Sequence, residues 1–207
     1  RNSTLRAINI RQLSPTGTGD SVFHIFERLN TGGTQLKPQE IRNAVYRGEI
    51  VDRLWKLNDN AAWQNILGLK KPDKNQKDVE LVLRLFSLYE SWEDYEKPML
   101  SHLNKFMKAN RDFASPEAER FSNEFLRSCE LVDESLEKPF RPRGVINSAV
   151  LEAVMITLLE DPSIDKERLK SGYKSLLANK EFLEKITGGT TDTLMVQRRI
   201  EICKQIM

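Results

Sequence analysis

Histidine and cysteine are scarce in this chain, with two of each among 207 residues. His24 and His102 stand alone in sequence, and an HNH or zinc nuclease centre needs more imidazole than that. Such a centre is therefore excluded within these residues. Cys129 and Cys203 lack metal-ligand or redox spacing. Each falls on an apolar helical stripe and reads as a small buried hydrophobe. A reducing, cytoplasmic setting fits that usage. Charge of one sign is also lacking: 32 basic residues face 30 acidic ones, for a net +2. That balance argues against a general polyanion binder and leaves room for a local basic face. No apolar run approaches the roughly 18 residues of a membrane span, and no secretory leader pattern is present. There is no fixed-period repeat and no low-complexity tract.

What is present is a globular composition. A hydrophobic fraction of 39% supports a packed core. The length suits one large domain, or one and a half small ones. Leu5–Ile10 alternates in part and reads as a short strand. Beyond it the punctuation is helical, and the expected class is mainly α, a multi-helix domain with one N-terminal strand. Helices are expected at 20–29, from Pro38 to near Gly48, and at 49–58, 60–67, 78–92, 98–109, 116–137, 147–160, 165–178, 180–186 and 192–206. Ser115-Pro116 is a cap followed by an N1 proline. The helix it opens carries Phe121, Phe125, Cys129, Val132 and Leu136 on one face. The last helix carries Val196, Ile200, Cys203 and Met207 on one face, which directs Arg198 and Arg199 elsewhere. The aromatic residues Trp55, Trp63, Phe86, Tyr89 and Trp92 fall on helical stripes and read as core before any base-stacking platform. The connections at 69–77 and 137–144 are basic and broken by proline.

Val22–Ala44 holds the densest signal. Val22, Ile25, Phe26 and Leu29 share the spacing of one buried helical face. Asn30-Thr-Gly-Gly-Thr34 then turns the chain, and a second helix starts at Pro38. Leu36 and Ile41 occupy the positions of a hydrophobic staple, and Glu40 lies at N3, where a carboxylate suits the helix dipole. Glycine allows close backbone approach to a ligand, and a helix start offers unpaired N–H groups to an anion.

Phe26-Glu-Arg-Leu-Asn-Thr-Gly-Gly-Thr34, followed by Leu36, Glu40 and Ala44, resembles the later half of the ParB-like N-terminal domain of GmrSD-type restriction proteins. Arg143-Gly-Val-Ile-Asn-Ser-Ala-Val-Leu151 is similar to that family's later asparagine-started helix. Thr187-Gly-Gly-Thr-Thr-Asp192, with Val196, Arg199 and Ile200, is similar to its closing threonine turn and arginine helix. The resemblance spans nearly the whole chain, but only the first motif is specific. Asn30, Leu36, Pro38 and Glu40 also keep the spacing of the nucleotide box of ParB-type domains. Gly33 stands where that box has an arginine.

The resemblance implies a cytoplasmic prokaryotic defence protein acting on foreign or modified DNA. Residues 1–48 are then the end of a truncated ParB-like α/β nucleotide-binding domain, and residues 49–207 a helical domain. Arg28, Asn30, Thr31, Gly32, Gly33, Thr34 and Glu40 are candidates for binding a nucleoside triphosphate with magnesium. A nuclease domain or subunit is an expected partner. The family's catalytic string Asp-Gly-Gln-Gln-Arg is missing from this sequence. The chain opens at Arg1 within structured-looking sequence, so a piece of a longer protein, inert by itself, is expected.

Each feature has a plainer reading beside the functional one. Asn30 is either a left-handed helix cap or a ligand residue. Gly32 and Gly33 can serve the turn alone, and Glu40 suits capping better than metal binding. Glu27 and Arg28 fit a solvated face. Arg141 and Arg143, stiffened by Pro142, and Arg198 and Arg199 are candidate DNA contacts that could equally be ordinary surface charge. The alternative to the restriction reading is a non-catalytic helical module for docking protein or DNA. No acid–base pair stands out for an independent hydrolase.

Overall fold

The computed structural model describes residues 20–29 and 35–207. Among them the chain forms eleven α-helices and no strand. They are α1 (Asp20–Leu29), α2 (Pro38–Val45), α3 (Glu49–Asn58), α4 (Ala61–Leu67), α5 (Lys77–Ser91) and α6 (Met99–Ala109). There follow α7 (Pro116–Ser135), α8 (Ser148–Glu160), α9 (Lys166–Ala178), α10 (Lys180–Lys185) and α11 (Thr193–Ile206). The mainly α class is as read from sequence. The strand expected at Leu5–Ile10 lies outside the described residues.

Side-chain caps fix several helix starts. Asn60 Oδ1 accepts from Trp63 N, Ser115 Oγ from Ala118 N, Asp165 Oδ1 from Arg168 N, and Asn179 Oδ1 from Phe182 N. Each satisfies a first-turn N–H that has no partner within its own helix.

α8 is the central helix. Ala149 to Leu159 are buried all round, as expected of a helix apolar on every face. α5, α7 and α11 pack against it, α4 packs on α7, and α3 on α5. Phe86, Phe106, Phe113, Phe121 and Phe125 form an aromatic seam, with Phe86 stacked on Phe121 at 4.5 Å between ring centres. Phe121, Phe125, Cys129 and Val132 are buried on one face of α7, as their spacing predicts. Leu136, expected on the same stripe, follows the helix end in an extended conformation and is half-buried. Gly48 sits where a Cβ would come within 2.5 Å of the Arg111 carbonyl oxygen, so only glycine permits α3 to start against that loop.

Two faces differ from the sequence reading. In α1 the fully buried residue is Phe23, while Phe26 and Leu29 are 41% and 48% exposed. α1 packs mainly on α2 and α6. Phe23 seats there with the Arg42 guanidinium 5.7 Å from its ring centre. In α11 the buried face is wider than its apolar stripe and includes Arg199.

Candidate functional site

Of the candidate nucleotide residues, Asn30, Thr31, Gly32, Gly33 and Thr34 lie outside the described residues. The two helices that flank them are described. Arg28 is exposed in the last turn of α1. Glu40 accepts a hydrogen bond from the Lys37 backbone N–H at 2.7 Å, so its carboxylate caps α2.

The inward face of α2 is polar. Arg42 is buried and donates from Nε to Asn104 Oδ1 (3.0 Å) and from Nη1 to Gln39 Oε1 (3.0 Å) and Glu80 Oε2 (2.9 Å). Asn43 Nδ2 donates to Gln76 Oε1 at 2.7 Å. Burial lowers the Arg42 pKa, and the Glu80 carboxylate opposes that shift. α2 is thus held to α5 and α6 by a charged anchor beside buried Ile41.

One turn after Glu80 on α5, Arg84 begins a second ionic cluster. Its Nη2 lies 2.6 Å from Glu152 Oε1 of α8. The other Glu152 oxygen accepts from Arg199 Nη2 of α11. Arg199 Nη1 in turn donates to the Thr190 carbonyl oxygen. Neither the Glu152 nor the Arg199 side chain reaches solvent. Burial lowers the Arg199 pKa, and Glu152 offsets that only in part. Two guanidiniums on one carboxylate leave this interior cluster with an excess positive charge.

The threonine turn is built around that arginine. Gly188 and Gly189 take φ values of +67° and +51°, a region that disfavours L side chains. Their turn aims the Thr190 carbonyl at Arg199 and the Thr191 carbonyl at Tyr95 Oη, which donates to it at 2.7 Å. The Lys97 backbone N–H donates to Thr193 Oγ1, and Lys97 Nζ pairs with Asp192 at 2.9 Å. Asn147 starts α8 as its sequence suggests. Its Oδ1 accepts from Ala149 N and Val150 N, and its Nδ2 donates to the Ile186 carbonyl.

The four arginines proposed for DNA fall into different settings. Arg199 is enclosed and its partners are internal, which corrects the expectation of a phosphate contact there. The lone pairs of Glu152 and Thr190 draw it inward. Arg198 is at the surface but held by both oxygens of Glu181 (2.6 and 3.2 Å) and by Glu201 (3.0 Å). Those carboxylates raise its pKa and occupy its donors. Arg141 and Arg143 lie on the 138–147 loop. Arg141 Nη1 donates to the Pro139 carbonyl, and Arg143 Nη2 lies 3.4 Å from Thr187 Oγ1.

No group of three or more His, Cys, Asp or Glu side chains among the described residues is arranged to hold a metal ion. Both cysteines are buried, and burial raises their pKa values, that of Cys203 to about 12. A thiolate nucleophile is therefore disfavoured at either position. No described helix is long and apolar enough to cross a membrane. No family model, curated protein or solved structure matches the chain.

The ionic chain was missed in the sequence. Its one available signal was Glu152 itself, a single charge in the otherwise apolar run Ser148–Leu159. A carboxylate there has to find a cation or lose its charge.

Proposed function

We propose that the chain is part of a nucleotide-dependent restriction protein acting on foreign or modified DNA in the bacterial or archaeal cytoplasm. In this reading the 30–34 turn, between α1 and α2, contributes half of a magnesium–nucleoside triphosphate site. A short strand before α1 belongs to the same ParB-like unit, and the helical body from residue 49 passes the nucleotide state to a nuclease part.

One observation carries the reading. The three segments that resemble the restriction family are joined by buried charge. Arg42 of the first segment pairs with Glu80 on α5. Arg84, one turn along α5, pairs with Glu152 of α8, the residue that follows the second segment. Glu152 pairs with Arg199 of the third, which holds the threonine turn. A polar path from α2 through α5 and α8 to α11 suits a device with two packings. A nucleotide shifts such a balance only through its different affinity for the two states.

The test is calorimetric titration of magnesium–ATP and magnesium–GTP into the whole protein that carries this chain, beside Asn30→Ala and Gly33→Val. The expected result is binding that both substitutions abolish, with loss of phage restriction. Wild-type restriction and hydrolysis in both variants would return the glycine turn to a structural role. The second reading, a non-catalytic helical docking module, is favoured by the unpaired cations on the loops discussed next.

A further inference from the structure

Two loops distant in sequence meet at the surface. Gly68 ends α4 in the left-handed conformation and opens the loop Leu69-Lys-Lys-Pro-Asp-Lys-Asn-Gln76. The Arg141 guanidinium rests against it, 3.0 Å from where a Gly68 Cβ would stand. Lys70 and Lys71 therefore follow directly after the point where Arg141 lies. Lys138 and Arg143 share the second loop with Arg141.

The second loop is firmly held. Phe140 is fully buried, its N–H donates to Tyr173 Oη at 2.7 Å, and its carbonyl accepts from Asn147 N at 2.8 Å. Gly144 N donates to the Arg141 carbonyl at 3.1 Å. Lys138, Phe140 and Gly144 have φ values of +45°, +63° and +85°. Non-glycine residues persist in that region only where their surroundings over-determine them, and such positions cluster at ligand-binding elements. The loop raises Val145, 74% exposed, beside Arg143 and Gly144.

The charges on these loops are unspent. Among the described residues no carboxylate lies within 4.0 Å of the side-chain nitrogens of Lys70, Lys71, Lys138, Arg141 or Arg143. The acidic residues that follow are engaged by other groups. Asp73 Oδ1 accepts from Asn75 N, and buried Asp78 accepts from Asn58 Nδ2 and Asp73 N. Elsewhere Arg53, Lys166, Arg168 and Arg198 are paired, while exposed Lys56, Lys108, Arg120 and Lys180 also have no carboxylate within 4.0 Å among the described residues. What sets these two loops apart is that they meet at Arg141 and Gly68. Two adjoining loops, one of them rigid, thus carry five cations that have no carboxylate partner among the described residues.

We infer that the loops 68–77 and 138–145 together form a docking surface for the phosphate backbone of duplex DNA. Arg141 and Arg143 contact phosphates through fixed guanidiniums, and the two lysines extend the positive surface across the junction. Such contacts release counterions, so affinity falls steeply with salt. The choice of DNA rests on the restriction reading above; the surface itself does not.

The test is fluorescence anisotropy of a labelled mixed-sequence duplex titrated with the 207-residue chain, from about 50 to about 200 mM salt. The expected result is a linear fall of log affinity with log salt. Arg141→Gln/Arg143→Gln should reduce that slope by roughly two and Arg143→Gln alone by roughly one, while Arg198→Gln leaves it unchanged. Arg143 is exposed, so its variant reports on binding even if the Arg141 change disturbs the loop. No binding at the lowest salt overturns the proposal. So does an unchanged slope in both loop variants, or tighter binding to phosphatidylserine vesicles than to the duplex. The nucleotide titration separates the two ideas. If Asn30→Ala has no effect there but the slopes change as stated, the surface stands and the nucleotide reading falls.

Discussion

Glu152 of α8 and Arg199 of α11 form an ion pair with both side chains fully enclosed, and Arg84 reaches the other oxygen of the same carboxylate at 2.6 Å. Burying an ion costs several kcal/mol, and the cost is recovered only while the partner is present. Glu152→Leu strands two guanidiniums in the interior. We expect it to destabilise the fold by about 3–5 kcal/mol in urea unfolding. The triple variant Arg84→Met/Glu152→Leu/Arg199→Met should recover most of that loss. A single Glu152→Leu costing no more than a surface substitution would show that the cluster holds no such charge.

The same cluster marks the limit of what could be read beforehand. Helix positions were legible because their signals are local. Ser115-Pro116 and Asn147 cap helices within three residues of themselves, and the α7 stripe from Phe121 to Val132 follows the helical repeat. Arg199 pairs with a residue 47 positions away, and no periodicity encodes that. Its neighbours on the stripe made it look solvent-facing, because an arginine's place on a helix face follows its partner and not its hydropathy. The α1 face was misplaced for a similar reason. The expected face of Val22, Ile25, Phe26 and Leu29 left out Phe23, and spacing alone does not say which side of a short helix the fold covers. α1 packs on α2 and α6 with Phe23 buried.

Asn147 joins two parts of the site that sequence separates. Its Oδ1 caps α8 through two N–H groups, and its Nδ2 holds the Ile186 carbonyl beside the threonine turn. Asn147→Ala loses all three contacts and should cost about 1–2 kcal/mol. Asn147→Asp keeps the acceptor, adds a charge favoured at a helix start, and loses only the donor to Ile186. It should be the milder change. Thermal unfolding of both variants decides this, and equal losses would place the value of Asn147 in the Ile186 contact.

Arg42 predicts a local effect in place of a global one. Its partners Gln39, Glu80 and Asn104 are polar, and its guanidinium lies over the Phe23 ring of α1. Arg42→Met removes the charged link between the α1–α2 segment and α5. Glu80 is partly exposed and can turn to water, so the body from α3 onward should stay folded. Amide hydrogen exchange should accelerate across α1 and α2 and remain slow in α8, since segments open separately when few contacts hold them. Uniform acceleration through α8 would mean that the segment is part of the global folding unit.

His102 gives the chain a defined acid response. Burial, with Lys105 and Arg84 nearby, lowers its pKa from 6.5 to about 4, and the Ser87 backbone opposes the shift only in part. The edge of the Tyr95 ring system packs 5.0 Å away, centre to centre. Between those two pKa values the unfolded chain binds the proton and the folded chain does not. Stability therefore rises with pH across this window. The full contribution is present above 6.5 and is lost as pH falls towards 4. Asp161 and Glu181, whose pKa values are lowered by Ser163 and Arg198 respectively, add losses of the same sign at lower pH. Glu90 works in the opposite sense, because burial and Glu117 raise its pKa. The clean measurement is thus a difference, taken from urea unfolding of the wild type and His102→Gln at several pH values from about 4 to about 8. The gap between the two curves should shrink or reverse as pH falls below 6.5 and stay constant above it. A gap independent of pH would mean that His102 is protonated equally in the folded and unfolded chains.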